Sequence, residues 1–296
     1  KIYFWERTNS YVVKNSSNIT SASLGYTSRL RSGYTRFFNS TISGGIGVNI
    51  NSKSDLKFII KDSTIYGRTE SGSMANAIFI RCNLGPSKLS TNSYENSLGT
   101  ATYNFCYIHD KYGSHHYTGI YTNCIFENIS GNIPQSITIN DSELNKFKCN
   151  LTYEGVSYSF NNCTFSDSNI QFPFWFKGCI LTIKNCTINN FDYFLKIPHY
   201  SLAYPITLSN NIFTSSGSNG FIYFYDDRGT TSAQNILELT SNNITIPNSL
   251  YVIVGLSENT VNNINIKALN NTLSPTTLLL CNPKAYSCAN ITITKK

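Results

Sequence analysis

Two adjacent carboxylates, Asp226-Asp227, flanked in the chain by Asp192 and Glu238, are the best material here for acid–base chemistry. Glycoside hydrolysis needs two carboxyl groups about 5 to 10 Å apart, one of them serving as acid. Consecutive strand residues point to opposite faces, so Asp226 and Asp227 share a substrate only if their loop bends sharply. Asp192, Asp226 and Glu238 could converge on one face, but Asp226-Asp227-Arg228 reads more simply as a solvated turn with a local ion pair. A second constellation is His109-Asp110-Lys111-Tyr112-Gly113-Ser114-His115-His116-Tyr117, which holds three of the four histidines. Imidazoles beside a carboxylate suit a transition metal. The spacing matches no ligand motif, however, and neither a metal site nor a cofactor is assigned. Cysteine-histidine nucleophilic catalysis is not visible, because the cysteines fall at interior positions away from these histidines.

What must position these residues is a repeat. Tyr158-Ser159-Phe160-Asn161-Asn162-Cys163-Thr164-Phe165 returns as Leu181-Thr182-Ile183-Lys184-Asn185-Cys186-Thr187-Ile188. Further registers fall at Asn15, Asn39, Asp62, Arg81, Phe105, Asn123, Asp141, Asn210, Asn242 and Asn270, roughly 18 to 32 residues apart and averaging about 23, a solenoid period. Around each register apolar and polar residues alternate, the strand signature, with Val, Ile, Phe, Tyr and Thr enriched. The register residue suits a bend, since Asn tolerates left-handed backbone and bonds locally. The next position is small or an amide in every copy, as Ser40, Cys163 and Asn211 show. The sequence therefore predicts an all-β, single-stranded parallel β-helix of about twelve coils, with an internal Asn ladder that includes Asn123, Asn162, Asn185, Asn210, Asn242 and Asn270. At about 4.8 Å per coil this is a rod roughly 55 to 60 Å long.

In this pattern the chain resembles the right-handed β-helix superfamily of pectate-lyase-like proteins and phage tailspikes, over about residues 12 to 280. The resemblance implies the hand of the coil and an architecture, not an activity. Polygalacturonase-like members carry Asn-Thr-Asp, Asp-Asp, Gly-His-Gly and Arg-Ile-Lys groups, of which only the Asp-Asp stands here. The acidic calcium cluster of the lyases, with its catalytic Arg or Lys, is not found.

Domains are expected as an N-terminal strand or cap over 1–14, the helix over 15–280, and a C-terminal hairpin and terminal strand over 281–296. Cys281 and Cys288 bracket that hairpin as a disulfide staple, which favours an oxidising, extracellular setting. Cys82, Cys106, Cys124, Cys163 and Cys186 share one column, where neighbouring coils bring sulfurs within reach of a disulfide or leave a stack of small buried hydrophobes. Nine cysteines leave at least one unpaired within the chain or paired between chains. Sequons outside the register column, at Asn18, Asn128, Asn150 and Asn290, are the glycosylation candidates. The chain starts at Lys1 without Met, the expectation for a processed product or a piece of something longer, with secretion as the natural route.

The net charge of +7 comes from scattered Lys and Arg, which gives nucleic acid binding little support, and no apolar run approaches a membrane span. From residue 162 onward, second apolar strands such as Tyr193-Phe194-Leu195 and Leu250-Tyr251-Val252-Ile253 predict an outward stripe of Trp175, Phe194, Tyr251 and Ile253 for self-association or glycan stacking. The functional expectation is a non-enzymatic extracellular structural protein on a cell or virion surface. It is a rod-like unit of an appendage, fibre or adhesin that assembles with itself. The alternative is a polysaccharide-binding or polysaccharide-cleaving protein, a hydrolase or lyase with Asp226 and Asp227 at its centre.

Overall fold

A computed structural model describes residues 2–4, 11–16, 19, 22–24, 32–43, 46–48, 55–67, 69–71, 77–87, 98–113, 117–172, 178–198, 204–225, 235–254, 264–274, 277–280 and 292–294. Among them there is no helix; the chain is short strands joined by bends, and the strand pairings are parallel, as in a solenoid. It divides into two compact units, Lys1–Glu143 and Leu144–Lys296.

In the first unit the strands Asp55–Lys61, Ala77–Ile80, Leu98–Asn104, Tyr117–Thr122 and Ile137–Asn140 stack in register. Register places Phe37, Ile60, Phe79, Tyr103, Tyr121 and Ile139 in one row, and all six are fully buried. Phe79, Tyr103 and Tyr121 stack ring on ring, at 4.8 and 4.5 Å between centroids. After the bend a second buried row runs Ile19, Ile42, Ile65, Leu84, Ile108 and Phe126. The second unit repeats the arrangement with Phe160, Ile183, Leu208 and Leu239 before the bend and Phe165, Ile188, Phe213 and Ile244 after it. Continuous burial of alternate residues is the main stabilising term in both.

The bend itself is specified by three residues. The first has positive φ: Asn15, Asn39, Asp62, Arg81, Phe105, Asn123 and Asp141 in one unit, and Asn162, Asn185, Asn210, Ser241 and Asn270 in the other, at 44 to 56°. Its N–H donates to the next winding, as Asn162 does to the Lys184 carbonyl at 2.9 Å. The third residue's N–H donates back to the previous winding, as Thr187 does to Cys163. The second residue, pointing inward between them, is left without a backbone acceptor. A side chain one winding further on supplies it. Ser40 N–H donates to Ser63 Oγ (3.1 Å) and Cys124 N–H to Ser142 Oγ (3.0 Å) in the first unit. In the second, Cys163 donates to Cys186 Sγ (3.3 Å), Cys186 to Asn211 Oδ1 (2.8 Å), Asn211 to Asn242 Oδ1 (3.0 Å) and Asn242 to Asn271 Oδ1 (3.0 Å).

This places the internal amides one position beyond the expected column. Asn123, Asn162, Asn185, Asn210 and Asn270 are exposed at the positive-φ site, and of the six only Asn242 is buried. The register at that winding is shifted, since Ser241 and not Asn242 takes the positive φ. The inward residue must accept one bond and donate another within a small volume. Ser and Cys donate to the carbonyl two residues earlier, Asn to a carbonyl of the preceding winding. The seven described cysteines are free thiols. Cys106 is held protonated, its pKa pushed far up first by Cys124, then by Cys82, then by burial.

The outward apolar stripe is corrected too. Phe194 and Ile253 are fully buried and Tyr251 is half-buried, while Trp175 lies outside the described residues. Strict alternation fails around the bend before Leu195 and within Tyr251–Val254, where Val252 and Ile253 are both buried. Tyr193 has φ of 60°, and after it Phe194 and Leu195 both turn inward. Phe194 then packs face to face on Phe221 (5.8 Å), and Ile253 continues the buried row Ile170, Leu195, Ile222.

Exchanging thiol for hydroxyl should leave the bend intact, whereas deleting an inner acceptor strands a buried N–H. In urea titrations Cys186→Ser is expected to cost about 1 kcal/mol or less, and Asn242→Ala roughly 2 to 5 kcal/mol, through Asn211 N–H and the Leu208 carbonyl. Equal losses would contradict this role.

Candidate functional site

Among the described residues, a group of polar and aromatic side chains tied together by hydrogen bonds and ring stacking lies on the first unit just after the bend. There Thr64–Tyr66, Asn83–Gly85, Tyr107–His109 and Ile125–Ile133 run parallel and in register. Inward Leu84, Ile108 and Phe126 fix the strands, so the alternate residues Asn83, Tyr107, Ile125 and Gly85, His109, Glu127 form two outward files. Gly85 makes the site compact. A Cβ there would stand 3.0 Å from His109 Nε2 and 3.0 Å from Tyr66 Cδ1, so a larger residue would require those rings to shift.

His109 is held from both sides. Its Nε2 lies 2.9 Å from Asn83 Oδ1 and its Nδ1 2.9 Å from Asp110 Oδ2. Both neighbours present oxygens to the ring, and which ring nitrogen donates depends on the tautomer. Asp110 also accepts from Asn128 Nδ2 at 2.8 Å, and Tyr107 stacks on His109 at 4.7 Å and donates to Glu127 Oε2. The His109 bond, then the Asn128 bond, hold the Asp110 carboxyl below its usual range, while the Glu127 bond pushes the Tyr107 phenol up to about 12. Near neutral pH Asp110 is therefore an anion and Tyr107 a neutral phenol. This suits fixed hydrogen bonding to a ligand better than proton transfer.

The sequence pointed to His109 and Asp110 but missed Tyr107 on the same strand and Asn83, Gly85, Glu127 and Asn128 on neighbouring windings. Their common signal was strand register, legible only once the repeat was aligned residue by residue. His115 and His116 lie outside the described residues, among which no group of three ligating side chains could hold a metal ion.

The expected carboxylate set is not assembled by its described members. Asp192 sits in the bend after Thr187–Asn189 and accepts from Asn219, whereas Glu238 lies on the strand before the bend, 3.4 Å from Lys267 Nζ. They stand on different sides of the winding, and Asp226 and Asp227 lie outside the described residues. So do Cys281, Cys288, Asn18 and Asn290. Asn128 is exposed at a positive-φ bend, and Asn150 is half-buried on Glu143–Leu151.

No known protein family and no curated protein matches the sequence. A solved structure of trypsin-treated QnrB1, a plasmid-mediated fluoroquinolone resistance protein, is similar over 97% of this chain and 92% of that one, at 9% identity and a TM-score of 0.17. A likeness at that level carries no argument about this chain. No helix among the described residues is long and apolar enough to cross a membrane.

Adding one methyl at the tight glycine tests the site's construction. Gly85→Ala should force His109 off Asn83, shifting the His109 ring resonances in NMR spectra and costing about 1 kcal/mol. Unchanged His109 resonances would show that the ring does not rest on that glycine.

Proposed function

We propose that the chain is a rod-like, non-enzymatic unit of an extracellular surface appendage, fibre or adhesin. On this reading it winds as a right-handed parallel β-helix of about twelve coils with an interior row of Ser, Cys and Asn in each unit. The observation that carries it is the inner bend row, in which successive windings complete one another's hydrogen bonds. Such a row favours stacking over chemistry. In the polar cluster around His109 the Asp110 carboxyl is ionised and the Tyr107 phenol neutral near neutral pH, which suits fixed hydrogen bonding better than proton transfer. With Phe194 and Ile253 inside, self-association rests on strand addition at the terminal windings. Ile2–Phe4 and Thr292–Thr294 are parallel strands of that kind. Extracellular placement rests on the Cys281–Cys288 staple and on glycans at Asn18, Asn128, Asn150 and Asn290. Of the two that are described, Asn128 is exposed with its Nδ2 bonded to Asp110, and Asn150 is half-buried.

A second reading is polysaccharide binding. Exposed Tyr107 and Tyr112 near the His109 cluster favour it, because aromatic rings beside fixed polar groups suit sugars. Negative-stain microscopy of the purified chain separates the two when combined with a polysaccharide panel. Filaments or higher oligomers, with no shortening of any polysaccharide, are expected. A monodisperse monomer that retains or cleaves a glycan would replace the structural reading with the second one.

A further inference from the structure

A second bend in the first unit holds a residue that the proposed function does not use. Here too a positive-φ residue is followed by one that points inward: Asp110 then Lys111, and Asn128 then Ile129. Register pairs Lys111 with Ile129, and Ser130 N–H donates to the Lys111 carbonyl at 3.0 Å. Lys111 is thus the charged member of an apolar position, and it is 0% exposed. Its Nζ donates to the Gly67 carbonyl at 2.8 Å, its one hydrogen bond among the described residues.

No described group neutralises it. On its own segment the Asp110 carboxylate is exposed and tied to His109 and Asn128. Glu127 and Tyr112 are exposed and Tyr66 is half-buried. Inside, the Tyr103 hydroxyl is committed to Gly99 and Thr69, and the Cys82, Cys106 and Cys124 thiols bond backbone carbonyls at the first bend. Arg68 lies outside the described residues. An ammonium has three donors, and among the described residues this site offers one acceptor. A neutral amine fits it better. Burial without a counter-charge accordingly pulls the Lys111 amine down to about 7 from 10.5.

The strand that closes this bend is weak. Tyr112–Gly113 is two residues long and pairs only with Ser130 and Gly131 among the described residues. Elements with so few bonds are the first to open.

We propose that Lys111 is an acid-released latch on this second bend. With its amine neutral the side chain stays inside against the Gly67 carbonyl; on taking a proton from solvent it moves out to water and frees Tyr112–Gly113 from Ser130–Gly131. The sign follows from proton binding. Between about pH 7 and 10.5 the open form binds the proton and the closed form does not, so the closed form gains as pH rises and loses as pH falls. Opening should increase roughly tenfold per pH unit from pH 9 down to 7 and level off below that.

Amide hydrogen exchange of the intact chain between pH 6 and 9, corrected for the intrinsic pH dependence of exchange, reads this directly. Ser130 N–H should open roughly thirtyfold to a hundredfold more often at pH 7 than at pH 9. Ile125 N–H, bonded to the Cys106 carbonyl at the first bend, serves as the internal reference. Lys111→Met keeps the length and removes the charge, and should abolish the Ser130 slope. A flat Ser130 profile in the unaltered chain, or an equal slope in Lys111→Met, overturns the latch. Should that variant fail to fold, NMR titration of the Lys111 side chain in the unaltered protein decides instead. A midpoint near 7 is expected, and one near 10.5 overturns the proposal.

Discussion

A backbone N–H that turns inward at each bend governs much of this architecture. Its neighbours on either side bond up and down the stack, and the geometry leaves it facing the core with no carbonyl to meet. An orphaned buried donor costs about 1 to 3 kcal/mol, and a stack repeats that cost at every winding. The remedy lies in the side chain at the same position one winding later. That couples adjacent windings through their sequence as well as their backbone.

This constraint explains a column of residues that otherwise looks arbitrary. Ser, Cys and Asn differ in polarity and in redox chemistry, but each offers an acceptor and a donor within a short reach. Cysteine there is a hydrogen-bonding residue, which accounts for its abundance without a disulfide among the described residues. The residue before it has a complementary demand. Left-handed backbone is easy for Asn and Asp and costly for Arg81 and Phe105, which adopt it too. There the stack imposes a conformation against local preference. Arg81 recovers part of the cost through a two-pronged contact with Asp62, at 2.6 and 2.9 Å. Lys111 shows the same discipline failing at the second bend, where an inward position holds an amine with one carbonyl partner among the described residues.

The repeat was legible because period-two burial and a recurring bend residue are local signals. Rows such as Phe160, Ile183 and Leu208 follow from them directly. Three things were not local. Ser241 and Asn242 both suit a bend, so only the register of strand pairing shows which takes the positive φ. Phe194 follows a bend that resets the alternation and Ile253 is buried beside Val252 within one strand, so extrapolating strict alternation put both outside. The group around His109 draws on three neighbouring strands and on the absence of a side chain at Gly85, which no spacing along the chain reveals. Of the expected carboxylate set, the two described members Asp192 and Glu238 lie on different sides of the winding, which their positions along the chain do not reveal.

The most direct test is amide hydrogen exchange at the inward bend residues themselves. Ser40, Cys124, Cys163, Cys186, Asn211 and Asn242 lie in bends with no backbone acceptor, yet each N–H donates to a side chain of the next winding. These amides should exchange as slowly as those in the strands on either side of them. Exchange at the rate of open turns would mean the bonds between windings are not made, and would contradict the account.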